Sequence, residues 1–159
     1  MMDAYFHTIP AKENVPDVLK AKGASLNVFT ASPHITLDAC LKRLGLWALF
    51  DNIWSCDDFN TTKADPQIYV MAANKLNRPV EEVLFLDDNL NADLTAKAAG
   101  MQICGVYDES SRDYANQMKA AADFYPIFLC QSISFCIFDD FYFIFLTYFV
   151  LFFCDYIPN

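Results

Sequence analysis

Three polar clusters follow short apolar runs in this chain, and each carries side chains suited to holding an anion or a cation. The first is Thr30-Ala31-Ser32, after Leu26-Asn27-Val28-Phe29. A hydroxyl at the end of a strand, followed by backbone N–H groups entering a helix, makes an anion site; the plainer reading is capping of the next helix by Ser32. The second is Lys63, in Thr62-Lys63-Ala64-Asp65-Pro66, where a cation beside a helix start is placed to neutralise phosphate or simply to meet solvent. The third is Asp87-Asp88, after Val83-Leu84-Phe85-Leu86. Adjacent carboxylates repel, and a hard cation such as Mg²⁺ would relieve that repulsion. Otherwise Asp88 or Asn89 caps the following helix. Asp57-Asp58, near Asn60 and two Thr, reads as solvated loop charge, and His34 as a surface residue early in a helix.

The elements that would position these clusters follow from the hydrophobic pattern. Residues 14–22 have helical spacing and stop at Gly23. Leu26–Thr30 is a short buried strand. Ser32-Pro33 opens a helix with Leu37, Cys40, Leu41 and Leu44 on one face and Gly45 just beyond its end. Phe50–Cys56 is a second strand. Asp65-Pro66 opens a helix that buries Ile68, Tyr69, Ala72, Ala73 and Leu76. Val83–Leu86 is a third strand, followed by a helix over Ala92–Ala99 closed by Gly100. A fourth strand spans Gln102–Val106, and Ser110 or Ser111 caps a helix reaching about Ala122. Apolar strands alternating with helices imply an α/β fold, with a parallel sheet covered on both faces. Its ligands belong beyond the carboxyl ends of the strands, where the three clusters lie.

Composition divides the chain in two. It has 159 residues, 55% of them hydrophobic, and a net charge of −9, which argues against nucleic acid or an anionic membrane surface as the main partner. All 11 Lys and Arg precede residue 124, whereas ten of the 15 Phe fall in residues 124–159. Residues 124–159 are accordingly read as an aromatic-rich hydrophobic tail, beyond the core at residues 8–123 that carries the three clusters. The run Phe141–Cys154 is shorter than the ~20 residues that span a bilayer, and extending it back to Ile133 brings in Asp139 and Asp140. Membrane anchoring, an out-of-frame end and insertion of a tail strand into the sheet are the alternatives for this segment. The six Cys form no C-x-x-C pair and no signal peptide precedes them, which points to reduced thiols and a cytoplasmic setting.

Taken in order, Leu26–Ser32, Lys63-Ala64-Asp65-Pro66, Val83–Asp88 and Ala96–Met101 resemble the haloacid dehalogenase-like hydrolase superfamily, in its phosphatase and β-phosphoglucomutase-like branch. The resemblance implies a Rossmann-like parallel sheet with helices on both faces. It also implies Mg²⁺-dependent phosphoryl transfer on a small phosphorylated metabolite through an aspartyl-phosphate. Carried over, Thr30 and the Ala31 N–H hold phosphate oxygens, Lys63 neutralises the transferring group, and Asp88, supported by Asp87, faces the metal. The family's D-x-D nucleophile motif belongs on a first strand ahead of these segments and is absent from this sequence. The expected fold is therefore incomplete, lacking the first strand and the cap. The expected chain is an N-terminally truncated fragment with its flanking strands unpaired, poorly stable and inactive alone. The alternatives are a non-catalytic phosphate- or Mg²⁺-binding remnant, membrane-associated through the tail, and a phosphosugar mutase. A response-regulator receiver uses similar groups in a different order, with its acidic pair first and its Lys last.

Overall fold

The computed structural model describes residues 2–11, 25–125 and, for the backbone alone, 143–146. Helix α1 (Met2–His7) leads to β1 (Ser25–Thr30) and α2 (His34–Arg43). Strand β2 (Asn52–Ser55), α3 (Gln67–Lys75), β3 (Val83–Asp87), α4 (Leu90–Ala99), β4 (Gln102–Gly105) and α5 (Ala115–Ala121) follow, with β5 at Phe143–Leu146. The expected helix over 14–22 lies outside the described residues. The sheet order is β2-β1-β5-β3-β4 and every described pairing is parallel.

The expectation of unpaired flanking strands is overturned by β5. Its residues Phe143–Leu146 pair with Ser25–Val28 of β1 on one side and with Val83–Leu86 of β3 on the other. A tail segment thus occupies the centre of the sheet, and β1 and β3 are not edges. This is the strand-insertion alternative for the tail. Phe124, at the start of the tail, also joins the sheet margin through a bridge to Cys104.

Side-chain alternation along the strands builds two cores. Leu26, Val28, Leu84 and Leu86 face Tyr5 of α1 and Leu37, Cys40 and Leu41 of α2. Phe29, Val83, Phe85 and Ile103 face Ile68, Tyr69, Ala72 and Ala73 of α3 and Ala92 and Ala96 of α4. Helices on both faces explain why β3 is buried at every residue and reads as a continuous apolar run. On the second face the rings pack edge-on, with Tyr69 5.1 Å from Phe85 and 5.7 Å from Phe29 between centroids.

Local chemistry sets the helix ends, and differs from the sequence expectation at two of them. Ser32 does not cap α2. Pro33 holds the N-cap position, and Ser32 Oγ instead pairs with Tyr5 Oη at 3.1 Å. Neither Ser110 nor Ser111 starts the last helical segment; Asp108 does, accepting from the Ser110 N–H at 3.0 Å and opening a 3₁₀ turn (Glu109–Tyr114) ahead of α5. At the other ends Gly45 and Gly100 are left-handed, as expected. Gly100 has φ +106°, and a Cβ there would also meet Val80 Cγ1 at 3.0 Å. Gly100→Ala is expected to destabilise the chain by about 1–2 kcal/mol, read as a lowered urea midpoint. A midpoint equal to wild type would show that this turn relaxes freely.

Candidate functional site

The carboxyl ends of the strands bring two of the three clusters into a common edge. Thr30 ends β1 and Asp87 ends β3, and both strands flank β5. Lys63 reaches this edge from the loop before α3. Its Nζ donates to Asp87 Oδ2 at 2.9 Å, with the lysine side chain 13% exposed and the carboxylate 1%. The ammonium also lies over the rings of Phe85 and Phe29, 5.6 and 5.9 Å from their centroids. It is therefore a held cation with apolar walls, not a solvated surface charge. Tyr69 fixes the backbone behind it, its hydroxyl reaching Lys63 O at 3.1 Å and Ala92 O at 3.2 Å. Burial and the nearby Asp87 carboxylate raise that hydroxyl far above the usual phenol range, so it acts as a neutral donor.

Around Thr30 the backbone folds into a small turn. The Ser32 N–H donates to Thr30 Oγ1 at 3.1 Å, Thr30 is buried and Ala31 is exposed at the surface. The Thr30 hydroxyl oxygen thus accepts within its own loop.

Asp87 and Asp88 part company. Asp87 Oδ1 accepts from the Asn89 N–H at 3.0 Å while Oδ2 holds Lys63, so both of its oxygens are engaged. Asn89, rather than Asp88, caps α4 by accepting from the N–H groups of Asn91 and Ala92 at 3.0 and 3.2 Å. Asp88 is half-buried beside a cavity of ≈ 630 Å³ lined by Asn89, Asn91, Ser110, Ser111 and Tyr114. Among the described residues no three His, Cys, Asp or Glu side chains converge as a metal cage. With Asp87 committed to Lys63, the described groups do not by themselves fit a protein-only Mg²⁺ site.

Two features escaped the sequence. Asp93 is 1% exposed in the first turn of α4, and among the described residues neither of its oxygens has a hydrogen-bond partner. Burial, reinforced by the charges of Asp87 and Asp88, pushes its carboxyl up to about 9, so it is protonated in the folded chain at neutral pH. The other feature is His34, read as a surface residue and found between two carboxylates. Its Nδ1 is 2.9 Å from Asp38 Oδ1 and its Nε2 is 2.8 Å from Asp58 Oδ2. Asp58 is in turn no simple loop charge: it closes a capping box, accepting from the Ser55 N–H at 2.8 Å. An i,i+4 spacing of His34 and Asp38 was visible in the sequence; Asp58 lies on another element and was not.

A parallel sheet covered on both faces, with a lysine–carboxylate pair at its carboxyl edge, defines a Rossmann-like α/β core. The haloacid dehalogenase-like hydrolase family model matches residues 3–100, and the chain belongs to that family. It is 27% identical over 119 residues to the putative phosphatase YhcW of Bacillus subtilis, covering 72% of this chain and 54% of that protein. It is 26% identical over 117 residues to an (S)-2-haloacid dehalogenase of Pseudomonas putida, covering 69% and 52%. A crystal structure of a putative β-phosphoglucomutase from Thermotoga maritima superposes with a TM-score of 0.59 at 28% identity, covering 72% of this chain and 55% of that one. The chain thus spans about half the length of these relatives.

Proposed function

We propose that the carboxyl edge of the sheet binds the phosphate group of a small phosphorylated metabolite, as in the phosphatases of the family, and that this chain by itself turns over little or none. The observation that carries the reading is the Lys63–Asp87 pair at 2.9 Å, which holds a cation in an apolar-walled edge shared with Thr30. In this reading Thr30 and the Ala31 N–H bind phosphate oxygens and Lys63 neutralises them. Low turnover follows from the sequence, which contains no D-x-D to supply the nucleophile. Mg²⁺ is assigned no step. Its proposed place is Asp88, with the remaining ligands coming from phosphate and water, which suits an ion that keeps several waters. The buried free thiols of Cys40, Cys56 and Cys104 support a reducing, cytoplasmic setting. No described helix is long and apolar enough to cross a membrane.

Titration calorimetry with inorganic phosphate tests this reading. Lys63→Ala is expected to weaken binding at least about tenfold, as loss of a charge-assisted contact in a sheltered site requires. Asp88→Asn is expected to remove any Mg²⁺ dependence of that binding. Unchanged phosphate affinity in Lys63→Ala would sink the assignment. Phosphate release from p-nitrophenyl phosphate by the purified chain, lost with EDTA and in Lys63→Ala, would overturn the expected inactivity. The resemblance to a haloacid dehalogenase makes a 2-haloacid the competing small anion; displacement of phosphate by 2-chloropropionate in the same cell would favour that ligand class.

A further inference from the structure

We propose that His34 is a positioning residue that clasps two site loops together, holding the Thr30–Pro33 turn against the turn that feeds Lys63, so that anion binding depends on the charge of its ring. For its ligand the proposal rests on the phosphate reading above; for its mechanics it rests on the clasp alone. The geometry is specific. His34 opens α2 directly after the Thr30-Ala31-Ser32-Pro33 turn. Its Nε2 meets Asp58 of the 3₁₀ turn Cys56–Phe59, the element after β2 and a few residues before Lys63. Its Nδ1 meets Asp38 one turn along α2. Ionised carboxylates only accept, so a ring engaged by one at each nitrogen, at 2.8 and 2.9 Å, must donate from both and carry a positive charge.

Asp58 conveys the clasp to the backbone. The oxygen that meets His34 Nε2, Oδ2, also accepts from the Ser55 N–H at the end of β2. The charged groups facing this arrangement are Asp38 from α2, Asp58 from the 3₁₀ turn and, near Asp58, Lys75 from α3, whose Nζ sits 4.2 Å over the Phe59 ring. The hydrogen bonds to Asp38 and then Asp58 outweigh partial burial and raise the imidazole above its ordinary value. For Asp58, burial pushes up, but the bonds from His34 and Ser55 prevail and hold it below the usual carboxylate range. Because the folded-state value of His34 is raised, the clasp is complete below its unfolded value of 6.5 and is lost as pH rises through the folded one. Deprotonation leaves one nitrogen without a proton to give, so one of the two carboxylates must let go.

Sulfate is the probe, because its charge is constant over the range in which histidine titrates. The full chain, His34→Gln and Asp58→Asn are titrated with sulfate by calorimetry near pH 6 and near pH 8, and the His34 ring is followed by NMR. Wild-type affinity is expected to fall about fivefold between the two conditions, a modest coupling. His34→Gln and Asp58→Asn should be weak at both, with the pH dependence gone. A His34→Gln chain that keeps wild-type affinity and the same pH dependence overturns the proposal. If sulfate binds neither the wild type nor the variants, the phosphate reading fails, and amide exchange of residues 56–60 decides the clasp. Faster exchange in His34→Gln, with a raised His34 titration in wild type, supports it; exchange equal to wild type refutes it.

Discussion

Phe145→Pro is expected to abolish the cooperative unfolding transition of the whole chain. Phe145 pairs with Asn27 of β1 and Phe85 of β3, at the middle of the sheet. Proline has no N–H to donate to the ladder, and its ring intrudes where the adjacent strand's backbone lies. The buried acceptor left without its partner costs about 1–3 kcal/mol, and the displaced backbone adds to it. It falls on the strand that joins β2–β1 to β3–β4, so both halves of the sheet lose their inner neighbour. Ordinary domains have only about 5–15 kcal/mol in total, and here the loss comes with the uncoupling of the two halves, so no single transition is expected to remain. Near-ultraviolet circular dichroism against urea is the measurement, with Phe145→Tyr as the control that keeps the backbone donor. A sharp transition at the wild-type midpoint in the proline variant would show that the sheet stands without β5.

Asp93→Asn is expected to make the chain more stable at neutral pH and to flatten its alkaline limb. Burial, and then Asp87 and Asp88, disfavour the charge of this carboxyl and move it from an ordinary 3.8 to about 9 on folding. A raised acid binds its proton more tightly when folded, so its contribution is whole below about 3.8 and is lost progressively as pH rises toward 9. At about 1.4 kcal/mol per pH unit, the loss accumulated by neutral pH is on the order of 4 kcal/mol. An amide does not ionise, though it remains a buried polar group, so the net gain for Asp93→Asn is on the order of 3 kcal/mol. Urea midpoints from about pH 5 to 9 test this. The wild-type curve should descend across that range and the variant curve should stay nearly level. Asp58 and Asp123, both held below the usual carboxylate range, work in the opposite sense and account for loss at acid pH in both chains. Equal slopes in the two proteins would mean that Asp93 is ionised and solvated in the fold.

Much of the architecture could be read from the sequence because burial on both faces leaves short, uninterrupted apolar runs bounded by turn residues. Val83–Leu86 read as a buried strand of a parallel sheet, since no polar residue interrupts it and Asp87 follows at once. Gly45 and Gly100 marked helix ends because a left-handed residue is needed there. The exact position of β5 was not readable. Phe141–Cys154 is so uniformly apolar that any four of its residues would suit a buried strand, and pattern cannot choose among them. The caps failed for a related reason: Ser32, Ser110 and Asp108 are all good cap residues, and only tertiary contacts, such as Tyr5 on Ser32, decide which is used elsewhere.

The site divides along the same line. Thr30, Lys63 and Asp87 stood out individually because each follows or precedes an element at the expected edge. Their pairing did not, since Lys63 and Asp87 come from different elements and meet only when α3 packs on β3. Asp93 was hidden by its spacing. It lies four residues before Lys97, an ordinary exposed i,i+4 pair on a helix, yet α4 turns Ala92, Asp93 and Ala96 together toward the sheet. Lys97 pairs instead with Asp123 at 2.9 Å, and among the described residues none hydrogen-bonds the buried acid.

The place of β5 in the sheet also has a bearing on synthesis. It is the central strand, yet in the chain it comes after β1, β2, β3 and β4. As the polypeptide leaves the ribosome, β2–β1 and β3–β4 emerge first as two separate ribbons, each with a long apolar edge and no partner for it. Closure waits until residue 146 is clear of the exit tunnel. The inner edges of β1 and β3 therefore receive β5 only after the strands beside it have been made.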